Sequence, residues 1–135
     1  MSGAALHVAV GVISNEESQV LIARRAVHLH QGGRWEFPGG KVDAGEDVYA
    51  ALCRELHEEL DIRVISAEPL MCVDYDYPDR RVQLDVWWVR RHSGTAHGRE
   101  GQALRWAPIG ELAPEEFPAA NAAIIARLQS AGLPG

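Results

Sequence analysis

Residues 47–60 constrain this chain more than any other segment. Val48, Leu52 and Leu56 recur every four positions and so lie in one apolar stripe along a helix. Glu55, Glu58 and Glu59 are three and four residues apart, which sets their carboxylates on one face, a turn from each other. Asp43, Glu46 and Asp47 precede them, where the positive end of a helix dipole favours anions. Any fold of this chain must bury the stripe and still accommodate three like charges beside it.

Around this helix the chain reads mainly as strands. Residues 6–14 are rich in β-branched side chains, a polar turn follows, and residues 19–24 form a returning strand. Residues 28–34 are a loop, and residues 35–38 a short extended piece ended by Pro38 and the Gly39-Gly40 pair. Residues 69–75 and 81–89 alternate as paired strands about a turn at 77–80. Residues 92–102 read as a loop and 103–106 as a short strand. Residues 121–130 form a second amphipathic helix, with Asn121 placed to cap it. Hairpins and two helices, without repeated βαβ units, predict an α+β fold in which helices pack on the faces of a mixed sheet. A length of 135 residues fits one domain, 1–135.

Composition excludes several function classes. The net charge of −6 argues against a protein that coats nucleic acid, which must neutralise many phosphates with Lys and Arg. A small phosphorylated substrate remains compatible, because bound divalent cations reverse the local field. Cys53 and Cys72 are too few for a metal cluster and read as free, buried thiols of a reducing compartment. Residues 1–6 carry no basic leader, and no apolar run approaches the roughly 20 residues that span a bilayer. The expectation is a cytoplasmic protein, a monomer or weak homodimer, with neither membrane nor bulk nucleic acid as partner. Trp87 and Trp88 are neighbours in a strand, so one should face the core and the other a flank.

The acidic face admits two readings. It is either a solvated surface with Arg54 as an exposed partner, or a site for a hard divalent cation that offsets the repulsion among three carboxylates. The spacing is not that of a helix–loop–helix calcium site, which needs alternating oxygen ligands about a central glycine. The Gly-Gly pair, Lys41 and the acidic turn with Glu46 that precede the helix favour the second reading.

With these residues in view, the stretch 40–62 resembles the box of the Nudix hydrolase superfamily. That box is Gly, five residues, Glu, seven residues, Arg-Glu, an aliphatic, any residue, Glu-Glu, any residue, Gly and an aliphatic. Gly40, Glu46, Arg54, Glu55, Leu56, Glu58, Glu59 and Ile62 fall in register, and Asp61 stands where the box has Gly. That glycine serves a left-handed helix end, a conformation that Asp tolerates better than most residues. Segments 23–26, 35–41, 77–80, 100–102 and 117–121 are similar, in order, to the MutT-type members of the superfamily, the 8-oxo-dGTP diphosphatases.

The resemblance implies an α/β/α sandwich with a mixed sheet, and a Mg2+-dependent enzyme with Mn2+ as a substitute. It would split a nucleoside triphosphate into a monophosphate and pyrophosphate by water attack on the β-phosphorus. The Gly40 carbonyl, Glu55, Glu58, Glu59 and Glu100 are the implied metal ligands, and Glu55, Glu59 and Glu100 the candidates for general base. Arg54 would orient the glutamates, and Glu46 would hold the loop to the helix start. Arg25, His30, Phe37, Lys41, Asp79, Arg80 and Asn121 form the implied substrate-binding set. Asn121 offers a donor and an acceptor to a purine edge, unless it only caps its helix, and Arg25 could equally be a surface charge. The implied role is removal of 8-oxo-dGTP from the nucleotide pool, which serves mutation avoidance and DNA repair. The alternatives are a Nudix enzyme for CTP or dCTP and a Nudix module that binds without catalysis.

Overall fold

The computed structural model describes residues 5–28 and 32–134. Two strands open the fold, β1 (Leu6–Ile13) and β2 (Gln19–Arg24). The Asn15 side-chain oxygen closes the turn between them by accepting from the N–H groups of Glu17 and Gln19 at 3.0 and 2.9 Å. Two short strands follow, β3 (Trp35–Glu36) and β4 (Gly39–Lys41), and then helix α1 (Val48–Leu60). A long hairpin of β5 (Arg63–Asp76) and β6 (Arg81–Ser93) leads to β7 (Leu104–Pro108). Three 3₁₀ turns, Ile109–Glu111, Pro114–Glu116 and Ala119–Asn121, then deliver the chain into helix α2 (Ala122–Ala131).

The strands form two sheets, not the single one expected. Four of them make a mixed sheet in the order β4-β1-β6-β5, in which β1 and β6 are parallel and the other pairs antiparallel. The remaining three make an antiparallel sheet in the order β3-β2-β7. β1 and β2 touch as a ladder only at the Ser14–Val20 bridge, after which β2 turns away to pair with β3 and β7. The pleat of β1 then divides the core. Ala9 and Ile13 face Leu52, Leu56 and Leu60 of α1, while Val10 and Val12 face the cluster holding Ile124, Ile125 and Leu128 of α2. This is the expected sandwich, with one helix on each side.

The apolar stripe of α1 behaves as its spacing requires. Leu52 and Leu56 are fully buried, and Val48 packs at the edge of the same cluster. The Asp47 side chain caps the helix by accepting from Ala50 N–H at 3.2 Å. At the other end Asp61 takes left-handed angles (φ 58°, ψ 36°) and donates its N–H to the His57 carbonyl at 3.0 Å. Asp61 thus fills the place of the box glycine. A Leu56→Ala variant should lose about 3 kcal/mol of stability, measured by urea unfolding. A loss below about 1 kcal/mol would mean that the site collapses around the smaller side chain.

β5 and β6 run further than their alternation predicts, from 63 rather than 69 and to 93 rather than 89. Irregularities between Val64 and Ser66, Ser66 and Ala67, and Pro69 and Met71 break the register of β5 on β6. Each one reverses which face a side chain takes, so a period-2 pattern cannot persist through them. Pro69 is tolerated because β5 is an edge strand, paired on one side only. Both cysteines are free, but Cys72 is exposed on this edge strand rather than buried. Trp88 is buried and donates from Nε1 to Ser14 Oγ at 2.8 Å, whereas Trp87 packs against Tyr49 beside α1. No helix among the described residues is long and apolar enough to cross a membrane.

Candidate active site

Arg54 organises the acidic face of α1. Its Nε and Nη2 each reach Glu46 at 2.8 Å, a fork on a carboxylate. Its Nη1 donates to Glu55 at 2.7 Å and Glu58 at 3.0 Å, and its Nη2 also donates to the Lys41 carbonyl at 3.1 Å. Glu46 in turn accepts from the Asp43 N–H at 3.0 Å, which ties the loop after β4 to the helix. The Arg54 guanidinium, helped by the Asp43 N–H, holds the Glu46 carboxyl down at about 2. Their pairing therefore supports the fold at any pH above the ordinary carboxylate range and is lost only as pH falls toward 2.

The glutamates open into a cavity of about 650 Å³ that runs from α1 to the start of α2. One end is acidic, lined by Glu36, Glu55, Glu58, Glu59 and Glu100. Burial, reinforced by the charges of Glu36, Glu55 and Glu100, pushes the Glu59 carboxyl up to about 8. Burial also raises Glu55, against the pull of Arg54, and raises Glu36, against Arg25, whose Nη1 lies 2.6 Å from the Glu36 carboxylate. A Cβ at Gly40 would overlap the Glu55 carboxylate, so only glycine lets that side chain lie against the β4 backbone.

This donor set fits a hard divalent cation in its chemistry: carboxylates with unbalanced negative charge, lining one end of the cavity together with Gly40. Among the described residues, however, no three His, Cys, Asp or Glu side chains stand ready around one point. Glu55 and Glu58 are instead turned onto Arg54, whose positive charge faces both. The residues that would hold a metal are Glu55, Glu58, Glu59, Glu100 and the Gly40 carbonyl, with Arg54 as the competitor that binds two of them.

The other end of the cavity suits a flat ring. Phe37 is buried and stacks on Phe117 with ring centroids 5.5 Å apart, and Leu6, Val8 and Val82 add an apolar wall. Asn121 lines this end and is only 9% exposed. The expectation that it caps α2 is corrected: its angles are helical (φ −78°, ψ −14°) and its side chain makes no cap bond. The preceding 3₁₀ turn runs directly into α2, with the Asn121 N–H bonded to the Pro118 carbonyl at 2.9 Å. Among the described residues the Asn121 amide has no hydrogen-bond partner, so it is directed to whatever fills the cavity.

Of the residues singled out by sequence, Arg25, Phe37, Gly40, Lys41, Glu55, Glu58, Glu59, Arg80, Glu100 and Asn121 line this one cavity. Arg54 stands behind it, bonded to Glu55 and Glu58. Asp79 sits in the β5–β6 turn and does not line the cavity. His30 lies outside the described residues. Sequence reasoning missed Glu36, Tyr77 and Gln102. Tyr77 accepts from the Ala120 N–H at 2.8 Å and so fixes the turn that carries Asn121. Glu36 had a signal in the Trp35–Pro38 segment. Tyr77 and Gln102 act through contacts 43 residues apart in the chain, which no local pattern encodes.

Comparison with known proteins agrees with this geometry. The NUDIX domain family profile matches residues 9–127. The chain is 40% identical over 124 residues to the 8-oxo-dGTP diphosphatase of Escherichia coli (strain K12), covering 92% of this chain and 96% of that protein. It is 36% identical over 114 residues to the CTP pyrophosphohydrolase of the same strain, covering 81% and 84%. A MutT structure, from a comparison of the Aliivibrio salmonicida and Vibrio cholerae proteins, superposes with a TM-score of 0.77 at 35% identity and covers 93% and 96%. An Arg-Glu clamp on an acidic helix, a glycine over which the Glu55 carboxylate lies, and a family match across most of the length lead to one assignment: the chain belongs to the Nudix family of hydrolases.

Proposed function

We propose that this chain hydrolyses 8-oxo-dGTP to 8-oxo-dGMP and pyrophosphate with Mg2+, for which Mn2+ substitutes. The observation that carries the reading is the two-ended cavity, with carboxylates at one end and a buried, unengaged Asn121 amide at the other. A triphosphate belongs at the first end and a purine edge at the second. Its relation to the Escherichia coli 8-oxo-dGTP diphosphatase, at 40% identity, supports the same substrate.

Magnesium, when bound, neutralises the triphosphate and acidifies a water. The chain's own residues do the rest. Glu55, Glu58, Glu59, Glu100 and the Gly40 carbonyl would hold the ion, while Arg54 and Glu46 keep the helix and loop in register. Glu55 or Glu100, with Glu59 third, takes the proton from the water that attacks the β-phosphorus. Arg25, held by Glu36, and Lys41 supply positive charge to the phosphates and sugar, and Arg80 lines the base site. Phe37 packs beneath the base, and Asn121 reads its edge. His30 completes the substrate-binding set, whereas Asp79, outside the cavity, is left out of it. The activity would act on the cytoplasmic nucleotide pool, with the protein a monomer or weak homodimer.

The CTP pyrophosphohydrolase relationship favours cytidine triphosphates as the second reading. A substrate screen separates the two, with pyrophosphate release followed in Mg2+ for 8-oxo-dGTP, dGTP, CTP and dCTP. We expect kcat/KM for 8-oxo-dGTP to exceed every other by about a hundredfold or more. CTP or dCTP in first place would overturn the 8-oxo-dGTP assignment.

A further inference from the structure

We infer that Gln102 is a positioning residue, whose single amide sets Glu100 against Glu59. Its Oε1 accepts from the Glu100 N–H at 2.9 Å, and its Nε2 donates to the Glu59 carbonyl at 3.2 Å. One rigid side chain therefore spans the backbones of the two glutamates, one on the loop and one on α1. The rest of the loop is tied to the same helix end. The Arg99 N–H reaches the Glu59 carbonyl, its guanidinium the His57 carbonyl and the His97 N–H the Leu60 carbonyl, each at 3.1 Å. The Glu59 and Leu60 carbonyls are ones that a helix C-terminus leaves without partners of its own, and the His57 carbonyl is shared with the Asp61 N–H.

Among these ties, Gln102 alone contacts the Glu100 backbone. Glu100 itself is exposed, and among the described residues the turn around it is otherwise closed by the Gly101 N–H on the Gly98 carbonyl at 3.0 Å. Without the amide, Arg99 and His97 still hold the loop to the helix, but Glu100 is free to swing away from the acidic end of the cavity. Removal of Gln102 should therefore cost rate and ion affinity rather than folding. This inference rests on the hydrolase reading above, in which Glu100 serves the reaction.

The test uses Gln102→Met, which keeps the length of the side chain and removes both bonds. In the metal-free protein, amide exchange at Glu100 should accelerate about tenfold or more while the α1 amides keep their protection. Mn2+ affinity without substrate should fall about tenfold, and kcat should fall about tenfold with KM within about twofold. In a Glu100→Gln background, Gln102→Met should change kcat by less than about twofold, because the two act as one unit. Unchanged exchange at Glu100, or a full loss of rate persisting in the Glu100→Gln background, would overturn the role of Gln102 and leave the hydrolase assignment standing. A Glu100→Gln variant as active as wild type would overturn both this inference and the role of Glu100 in the reaction.

Discussion

Glu55→Gln leaves a folded protein that releases pyrophosphate about a thousandfold more slowly than wild type, the loss expected when a carboxylate serves both ion and proton transfer. Three observations set the size of this effect. The Glu55 carboxylate lies directly over Gly40, at the acidic end of the cavity, and Arg54 orients it from behind at 2.7 Å. Glutamine preserves that shape but removes the charge and the basic lone pair. Folding should survive, because Arg54 keeps its fork on Glu46 and its bond to Glu58. The measurement is kcat with saturating Mg2+, alongside thermal unfolding to show that the fold is intact. Glu46→Gln is the companion variant. It acts through Arg54 and the Asp43 N–H, at one remove from the reacting atoms, so it should cost about tenfold. A Glu55→Gln enzyme with wild-type turnover would remove Glu55 from the reaction and leave Glu100 or Glu59 as the base.

What could be read from the sequence was what is local. The α1 stripe, the acidic residues at the helix start and the grouping of Glu55, Glu58 and Glu59 depend on spacings in and beside one helix, and the structure reproduces them. The left-handed Asp61 was legible for the same reason, since one residue's angles decide it. What escaped was decided across the chain. The division into two sheets depends on β2 leaving β1 after one bridge, which alternation within either strand cannot reveal. The full length of β5 was hidden by its irregularities, which scramble the pattern that would have announced it. The orientation of Glu55 and Glu58 toward Arg54, rather than toward a common point, reflects how completely the guanidinium meets their charge. Asn121 was ambiguous between cap and reader because both uses need the same residue at the same place. The 3₁₀ turn resolves it by making a cap unnecessary.

That resolution leads to the second large effect. Asn121→Ala is expected to lower kcat/KM for 8-oxo-dGTP by about a hundredfold while dGTP hydrolysis stays within about threefold. The asymmetry follows from the two ends of the cavity. Phosphate handling belongs to the glutamates and Arg25, which the substitution does not touch. Base recognition falls to a side chain that is 9% exposed and whose amide has no hydrogen-bond partner among the described residues. Truncation leaves the base edge buried beside an apolar floor of Phe37 and Phe117 with its hydrogen bonds unmade, a penalty of about 1–3 kcal/mol for each buried polar group. Stability should change little, because the backbone of the turn is held independently by Pro118 and Tyr77. Equal losses on both substrates would mean that Asn121 shapes the cavity rather than reads the base. Undiminished selectivity would assign recognition to other residues of the wall, with Arg80 the next to replace.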